Sequence, residues 1–541
     1  MRKILLWMLP LVMGSTCYAQ DITIRYKGKT AKVEQKVKDS VDVSVEGAKV
    51  SIDSRLTGRK LTLRLTGQSP DGRLDLKTAG KAKVKLDGLT LTSQEGAPLC
   101  LKNKKKVEVE AAKGTVNTLT ITACQDTASN KAATIWAKDK LLLSGKGTLN
   151  IVATGDGCRG IKTKKDITIE ELTLNVTTSG DNLGEKPFGF GMPDFGGEMP
   201  DFGGFGGGFP QFGNDSIRQG GFGGFPPFGN DSIRQGGFGG GFPPFGNDSI
   251  RQGGFQMPDF GGGFPPFGND SIQGGGFQMP GFGGFGGGFP QFENDSIDGE
   301  GMGGFAGKHK YVASTKGIAS KGKITINSGC VTVRTQTAGA EGIEGKEGIV
   351  FNGGTVDVVT TDDAINANAT IEFNGAHVTA RSKGNDAVDS NPKGGFFMPF
   401  GGNNQQDSDP AIIIRGGTVY AWSQVGSPEE GLDCDFAPLV VEGGTIFSVG
   451  GGMGEMPSVP TNATARQATA LLIGLNVAKD EPISIYDASG TLIDSVTIPF
   501  SLKRSASLVS SPAFKVGNSY TVKTKGYEKT FTLSEPFTTV R

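Results

Sequence analysis

Acidic side chains recur in this chain at a fixed offset from a Gly-Ile or Ala-Ile pair. Aligning the segments on Gly160-Ile161, Gly317-Ile318, Gly342-Ile343, Ala364-Ile365, Ala387-Val388 and Gly431-Leu432 gives two columns. The position before the pair reads Arg159, Lys316, Glu341, Asp363, Asp386, Glu430. The position after it reads Lys162, Ala319, Glu344, Asn366, Asp389, Asp433, and one place further upstream stand Asp362, Asn385 and Glu429. Carboxylates stacked in adjacent strands, about 4.8 Å apart, repel unless something neutralises them. Ca²⁺ takes about six to eight oxygen ligands from Asp, Glu, Asn and backbone carbonyls, which is the mixture offered here. Glu341, Glu344, Asp362, Asp363, Asn366, Asp386, Asp389 and Asp433 are therefore the expected calcium ligands, with a solvated acidic face as the alternative.

A second constellation could hold a sugar. In the Thr-Val-x-Val part of each segment the outward positions align Asn175, Thr332, Asp357, Thr379, Tyr420 and Phe447 in one column. Arg334, Val359, Arg381 and Trp422 form the next. Aromatic faces stack on pyranose rings, and Arg pairs with carboxylates in fork geometry. Arg334, Arg381, Tyr420 and Trp422 are the expected carbohydrate platform. The competing reading is that the 392–409 loop or the C-terminal unit packs over the two aromatics, because exposed aromatics of this size are normally covered.

The elements that position these columns form a repeat. Ile324-Thr-Ile-Asn-Ser-Gly-Cys-Val-Thr-Val333 recurs as Ile349–Val358, Ile371–Ala380, Ile412–Ala421 and Leu439–Ser448, each two short alternating strands around a turn. From Ile318 to Ile343, Ile365 and Val388 the steps are 25, 22 and 23 residues. A period near 23 with three short strands and no helical pattern predicts an all-β parallel β-helix, since one coil cannot bury its own apolar face and stacked coils can. Val331, Val356, Val378, Val419 and Ile446 are predicted to form one inward ladder. Val333, Val358, Ala380, Ala421 and Ser448 form the next.

The 541 residues include 87 Gly, 27 Pro and 34 Phe, with 55 basic and 55 acidic side chains. Zero net charge excludes a strongly basic nucleic-acid footprint. Residues 1–19 read as a signal peptide, with Arg2-Lys3, an apolar Ile4–Met13 and a cut after Ala19. No other apolar run is long enough to span a bilayer, so an exported protein, periplasmic or at the cell surface, is expected. Residues 20–92 read as an N-terminal cap or opening coils, 93–181 and 308–460 as the two parts of the β-helix, and 461–541 as a small all-β closing unit. Residues 182–307, built from Gly, Phe and Pro around five copies of Asn-Asp-Ser-Ile, hold 23 of the 34 Phe and are expected to be a disordered insertion. A shorter one is expected at 392–409. Five cysteines remain after the signal peptide, so at most two bridges can form and one thiol is left over; packed thiols with at most one bridge are expected. Neither His309 nor His377 sits in a pattern that suggests catalysis.

Val84-Lys-Leu-Asp-Gly-Leu-Thr-Leu-Thr92, Gly114-Thr-Val-Asn-Thr-Leu119, Ala133-Thr-Ile-Trp-Ala-Lys138 and the later Asp-Ala-Ile units resemble a family of secreted bacterial carbohydrate-binding β-helix proteins. So does the tail, with Met456-Pro-Ser and Ser510-Ser-Pro-Ala-Phe-Lys-Val-Gly-Asn-Ser-Tyr520. The resemblance implies a right-handed parallel β-helix similar to pectate lyases, especially polysaccharide lyase family 9. It also implies surface-bound Ca²⁺ and non-catalytic binding of plant-type polysaccharides such as polygalacturonate or cellulose. The chain departs from the family where Arg159, Lys316 and Glu341 replace the usual Asp, which weighs against calcium at those coils.

The function expected from the sequence is a secreted, calcium-assisted polysaccharide-binding protein without catalysis. An adhesin or scaffold is the first alternative. A calcium-dependent lyase with Lys346 or Lys383 as base is the second. The Asp-Ser-Ile units look like acceptors of an O-glycosylation system, at Ser216, Ser232, Ser249, Ser271 and Ser296, or else are polar spacers in a duplicated repeat.

Overall fold

The computed structural model describes residues 21–124, 131–185, 311–391, 409, 411–434, 437–452 and 457–541. The candidate signal peptide, the five candidate serines and both insertions apart from residues 182–185 and 409 lie outside these residues; Leu183–Glu185, expected to be part of the disordered insertion, is a strand. The described residues contain strands and no helix. None therefore forms a helix long and apolar enough to cross a membrane.

Strands of successive coils stack in parallel in three ladders. The first is an eleven-stranded sheet running through Arg73–Thr78, Leu99–Asn103, Ala133–Ala137, Arg159–Thr163, Lys316–Ser320, Glu341–Gly345, Ile365–Ala367 and Val388–Ser390 to Leu432–Asp433. The second includes Ile324–Ile326, Ile349–Phe351 and Ile371–Phe373. The third includes Cys330–Thr335, Thr355–Thr360, His377–Ser382 and Thr418–Ser423. The long strand Ala82–Ser93 pairs into both the second and third ladders, which joins them at the N-terminal end. The architecture is β-helix-like.

The registers are those read from the repeat. Ile161, Ile318, Ile343, Ile365, Val388 and Leu432 are consecutive partners. So are Val331, Val356, Val378, Val419 and Ile446. Both sets lie in one continuous buried core. That core is aliphatic apart from a few rings; Phe351 and Phe373 stack at 5.0 Å with planes 9° apart. Parallel register is strongly specified here, because a one-residue slip would turn every inward Val or Ile to solvent.

The turn between the second and third strands shows why the chain needs glycine there. Gly354 and Gly417 have φ of 84° and 81°, and a Cβ would stand 2.5 Å from the Gly329 carbonyl and 2.1 Å from that of Ala376. The preceding turn position carries an amide ladder. Asn374 Nδ2 donates to Asn352 Oδ1, and Asn352 Nδ2 to Asn327 Oδ1, both at 2.9 Å. Arg415 continues it by donating to Asn374 Oδ1 at 2.9 Å.

Both ends are closed by antiparallel structure. At the N-terminus the hairpins Ile22–Lys27/Thr30–Gln35 and Val41–Glu46/Lys49–Ser54 pair onto the first coils. At the C-terminus Leu502–Ser510 runs antiparallel to the last coil strand, Thr445–Gly450, and Thr469–Val477 and Phe537–Val540 extend that sheet. A four-stranded antiparallel sheet from Pro482–Asp487 to Tyr527–Thr532 completes this unit, with its own core around Ile483, Ile485, Tyr520 and Phe531. Unpaired strand edges would otherwise template aggregation.

Candidate functional site

The two acidic columns are true neighbours. Lys316 pairs with Glu341, and the other column runs Lys162, Ala319, Glu344, Asn366, Asp389, Asp433 in unbroken register. They are not a solvated face. Glu341, Glu344, Asp363, Asn366, Asp386 and Asp389 are all buried, Asp389 to 1% exposure, while Asp362 and Asp433 are half-buried. Burial corrects the picture of an exposed ridge, and it raises the cost of every charge in the columns.

The two halves meet that cost differently. At Glu341 and Glu344 the neutralising group is lysine. Lys316 Nζ donates to both Glu341 carboxylate oxygens at 3.1 Å and to Glu344 Oε1 at 2.7 Å. Lys346 reaches the same Glu344 oxygen at 2.6 Å. Burial works to raise Glu344, but Lys316 and Lys346 together outweigh it and hold the carboxyl well below the usual range. Glu341 is pushed up to about 7, by burial first and by the Glu344 charge, against the pull of Lys316.

Further along, amides and backbone take over. Asn366 Nδ2 bridges Asp363 Oδ2 at 2.9 Å and Asp389 Oδ2 at 3.1 Å. Asn391 Nδ2 donates to Asp389 Oδ1 and Asn385 Nδ2 to Asp362 Oδ1, both at 2.8 Å. The Glu430 N–H donates to Asp386 Oδ1 at 2.5 Å, and Ser458 donates from its N–H to Glu430 and from its hydroxyl to Asp433. The Asp386 carboxyl is raised well above the usual carboxylate range, by burial first and then by Asp433, Asp363 and Asp389. Among the described residues no group of three or more His, Cys, Asp or Glu side chains is arranged to hold a metal ion.

The carbohydrate candidates divide into two environments. Trp422 is 6% exposed, packs into the core of the C-terminal unit, and donates its indole N–H to the Phe447 carbonyl at 3.2 Å. Arg381 lies 5.4 Å from the centroid of the Phe500 ring and donates to Gln424 Oε1 at 2.7 Å. The closing unit thus covers this side of the pair. Tyr420 stacks on Trp422 at 5.7 Å with planes 15° apart and meets His377 edge-on at 5.8 Å, yet remains half-buried. Arg334 is bound to the Asp357 carboxylate and donates to its carbonyl at 2.8 Å.

Sequence reasoning missed Ser458, Gln424 and Phe500. Ser458 and Phe500 lie beyond the last repeat, so no column could have revealed them, while Gln424 follows the aligned strand in the position of Lys383. The ion pairing of Lys316 and Lys346 was legible in part, since both stand in or beside the aligned columns. The five described cysteines are all thiols. Burial raises Cys100 to about 11 and Cys158 to about 12, with the Cys124 charge adding to the latter.

A family model described as "carbohydrate-binding domain-containing protein" matches residues 28–186 and 293–387. A curated protein of the same description from Acetivibrio thermocellus is 27% identical over 162 residues, which cover 29% of this chain and 54% of the relative. The chain therefore spans about half the length of the curated relative it matches. No solved structure gives a significant match.

Proposed function

We propose that this chain is an exported, non-catalytic polysaccharide-binding protein built as a right-handed parallel β-helix. The observation that carries the proposal is the position of the family match. It covers the N-terminal hairpins from residue 28 and the coils as far as Ala387 and stops before the last coils, which carry Tyr420, and before the closing unit, so we assign binding to the coils. Polymers of the plant cell wall, polygalacturonate- or cellulose-like, are the proposed ligands. The kinship with pectate lyases of polysaccharide lyase family 9 is part of the same proposal and rests on the sequence motifs. Arg334 and Tyr420 are the proposed sugar contacts of the third ladder, while Arg381 and Trp422 support them from beneath the closing unit.

Calcium enters the proposal as a structural ion. Asp363, Asp386, Asp389 and Asp433, with Asn366, supply oxygen donors of the kind Ca²⁺ takes, and a divalent cation would offset both the burial and the neighbouring carboxylates that raise Asp386. Glu341 and Glu344 are left out of the set because Lys316 and Lys346 already neutralise them. Buried donors tie coils together rather than bridge to a sugar. The same ion pairing engages Lys346, one of the two lysines considered as a lyase base beside Lys383, with Glu344. O-glycosylation at Ser216, Ser232, Ser249, Ser271 and Ser296 remains a separate proposal, checked by intact mass of the exported protein.

The test is retention of the purified protein on insoluble polygalacturonate and on cellulose, with calcium and with chelator. Retention on either polymer without release of unsaturated sugars supports the proposal, and a loss with chelator supports the calcium part. A folded protein retained by neither polymer moves the reading to an adhesin or scaffold. Unsaturated product moves it to a lyase.

A further inference from the structure

The corner between the first and second ladders carries a charge pattern that the acidic columns do not use. Four consecutive coils make this corner with a three-residue turn rich in lysine, at 104–106, 138–140, 164–166 and 321–323. These four turns hold nine lysines against two aspartates, a net of +7 in twelve residues, in a chain whose total charge is zero.

Three of these turns carry lysines in register. The first turn position is set by a backbone hydrogen bond to the coil before it: Lys104 N–H to the Thr78 carbonyl, Lys138 to Leu101, Lys164 to Ala137 and Lys321 to Thr163, at 2.9–3.2 Å. Lys138, Lys164 and Lys321 thus stand in one column, one per coil, about 4.8 Å apart, while Lys104 opens the preceding turn two residues beyond Lys102, the register neighbour of Lys138. All four are exposed, and among the described residues none forms an ion pair. Lys140, at the third position, pairs with Asp166 at 2.8 Å. Like charges stacked at this spacing destabilise a sheet unless a partner neutralises them.

The turns beneath are rigid. Buried Asn103 donates to the Lys105 carbonyl at 2.8 Å and to that of Lys140 at 3.3 Å, and it accepts from the N–H groups of Lys138 and Asp139 at 3.1 and 3.2 Å. Buried Ser320 donates to the Lys165 carbonyl at 2.7 Å and accepts from Gly322 N–H at 3.0 Å. The backbone of the column is therefore preorganised, and only the lysine side chains have to be ordered on binding.

We propose that this corner is the docking line for a linear polyanionic polysaccharide lying along the stacking axis, with one carboxylate of the polymer near each coil. The inference rests on the polysaccharide-binding reading above and names its contact surface and ligand charge. A coil step is close to the length of one pyranose ring in an extended chain, so a uronate polymer keeps its charges in phase with the lysines. Lysine suits carboxylates that rotate with the chain, because it acts as a point charge without fork geometry. A single-stranded nucleic acid would need aromatic platforms for its bases, and the four turns contain none.

The test compares the full-length protein with Lys104→Gln, Lys138→Gln, Lys164→Gln and Lys321→Gln combined, and with the matching four Lys→Arg changes. Binding to soluble polygalacturonate, neutral cello-oligosaccharides and a single-stranded oligonucleotide is measured at fixed calcium over a salt series. We expect the Gln variant to lose polygalacturonate affinity by roughly tenfold or more, from four exposed charge contacts. It should also show a shallower salt dependence, while the Arg variant binds as wild type. Equal binding by wild type and a folded Gln variant overturns the docking line and leaves polysaccharide binding intact. Wild-type binding only to the neutral oligosaccharides also overturns the docking line, whereas binding to no glycan overturns both readings. Tighter binding to the oligonucleotide than to polygalacturonate overturns the polysaccharide as the partner of this corner.

Discussion

Asp386 shows how a single side chain records the electrostatics of its neighbourhood. It is buried, accepts the Glu430 N–H, and is raised by Asp433, Asp363 and Asp389. A carboxyl whose folded pKa lies above its unfolded value of 3.8 binds more protons in the folded state. Its contribution is therefore complete below about pH 4 and is lost as pH rises through the folded pKa. In chelator, the melting temperature of wild type should fall relative to Asp386→Asn as the pH is raised from about 4 to about 7, because Asn keeps an acceptor for the Glu430 N–H without the charge. Calcium should restore the wild type and leave the variant unmoved. Parallel melting curves in chelator at every pH would overturn this account of the cluster. The columns themselves were legible in the sequence, because parallel stacking converts a repeat period directly into spatial neighbours. Their burial was not, since a side chain's cover comes from residues with no fixed offset to it. Ser458 reaches Glu430 and Asp433 from beyond the last repeat, and no periodicity marks it.

At the scale of elements, the closing unit decides what the third ladder can present. The strands Thr418–Ser423 and Thr445–Gly450 were legible from their alternation, and Tyr420 and Trp422 from the register. The sequence left open whether anything covers the pair. The structure answers differently for each ring, since the closing unit packs around Trp422 and leaves Tyr420 half-buried. Trp422 therefore acts as a fastener between the last coils and the cap. Trp422→Ala removes a buried aromatic and its hydrogen bond to Phe447, and should cost about 3–5 kcal/mol, read by urea unfolding. Tyr420→Ala should cost less and weaken polygalacturonate retention more. If Trp422→Ala instead left stability unchanged and abolished retention, the indole would be a sugar contact and the cap would not rest on it.

The whole molecule is a stack capped at both ends and interrupted within its repeat. The coils resume after the long insertion in the same register they left, since Thr173–Thr178 pairs directly with Cys330–Thr335 and Ile167 with Ile324. The strands Leu183–Glu185 and Tyr311–Ala313 pair antiparallel at the base of the interruption, so its two ends are held side by side by the coils. The cost of closing a loop grows only with the logarithm of its length. Replacing residues 186–310 with a short Gly/Ser linker, roughly a twentyfold shortening, should relieve about 2–3 kcal/mol of closure entropy without touching either ladder. The shortened protein should melt no lower than the full chain. It should also bind polygalacturonate with the same dependence on salt, because the lysine turns at 104–106, 138–140, 164–166 and 321–323 belong to coils on both sides of the junction. Their alignment depends on register across the junction rather than on the length of chain that spans it. A lower melting temperature would overturn this separation of stack from insertion. An unchanged melting temperature with lost binding would move the glycan contact from the coils to residues 186–310.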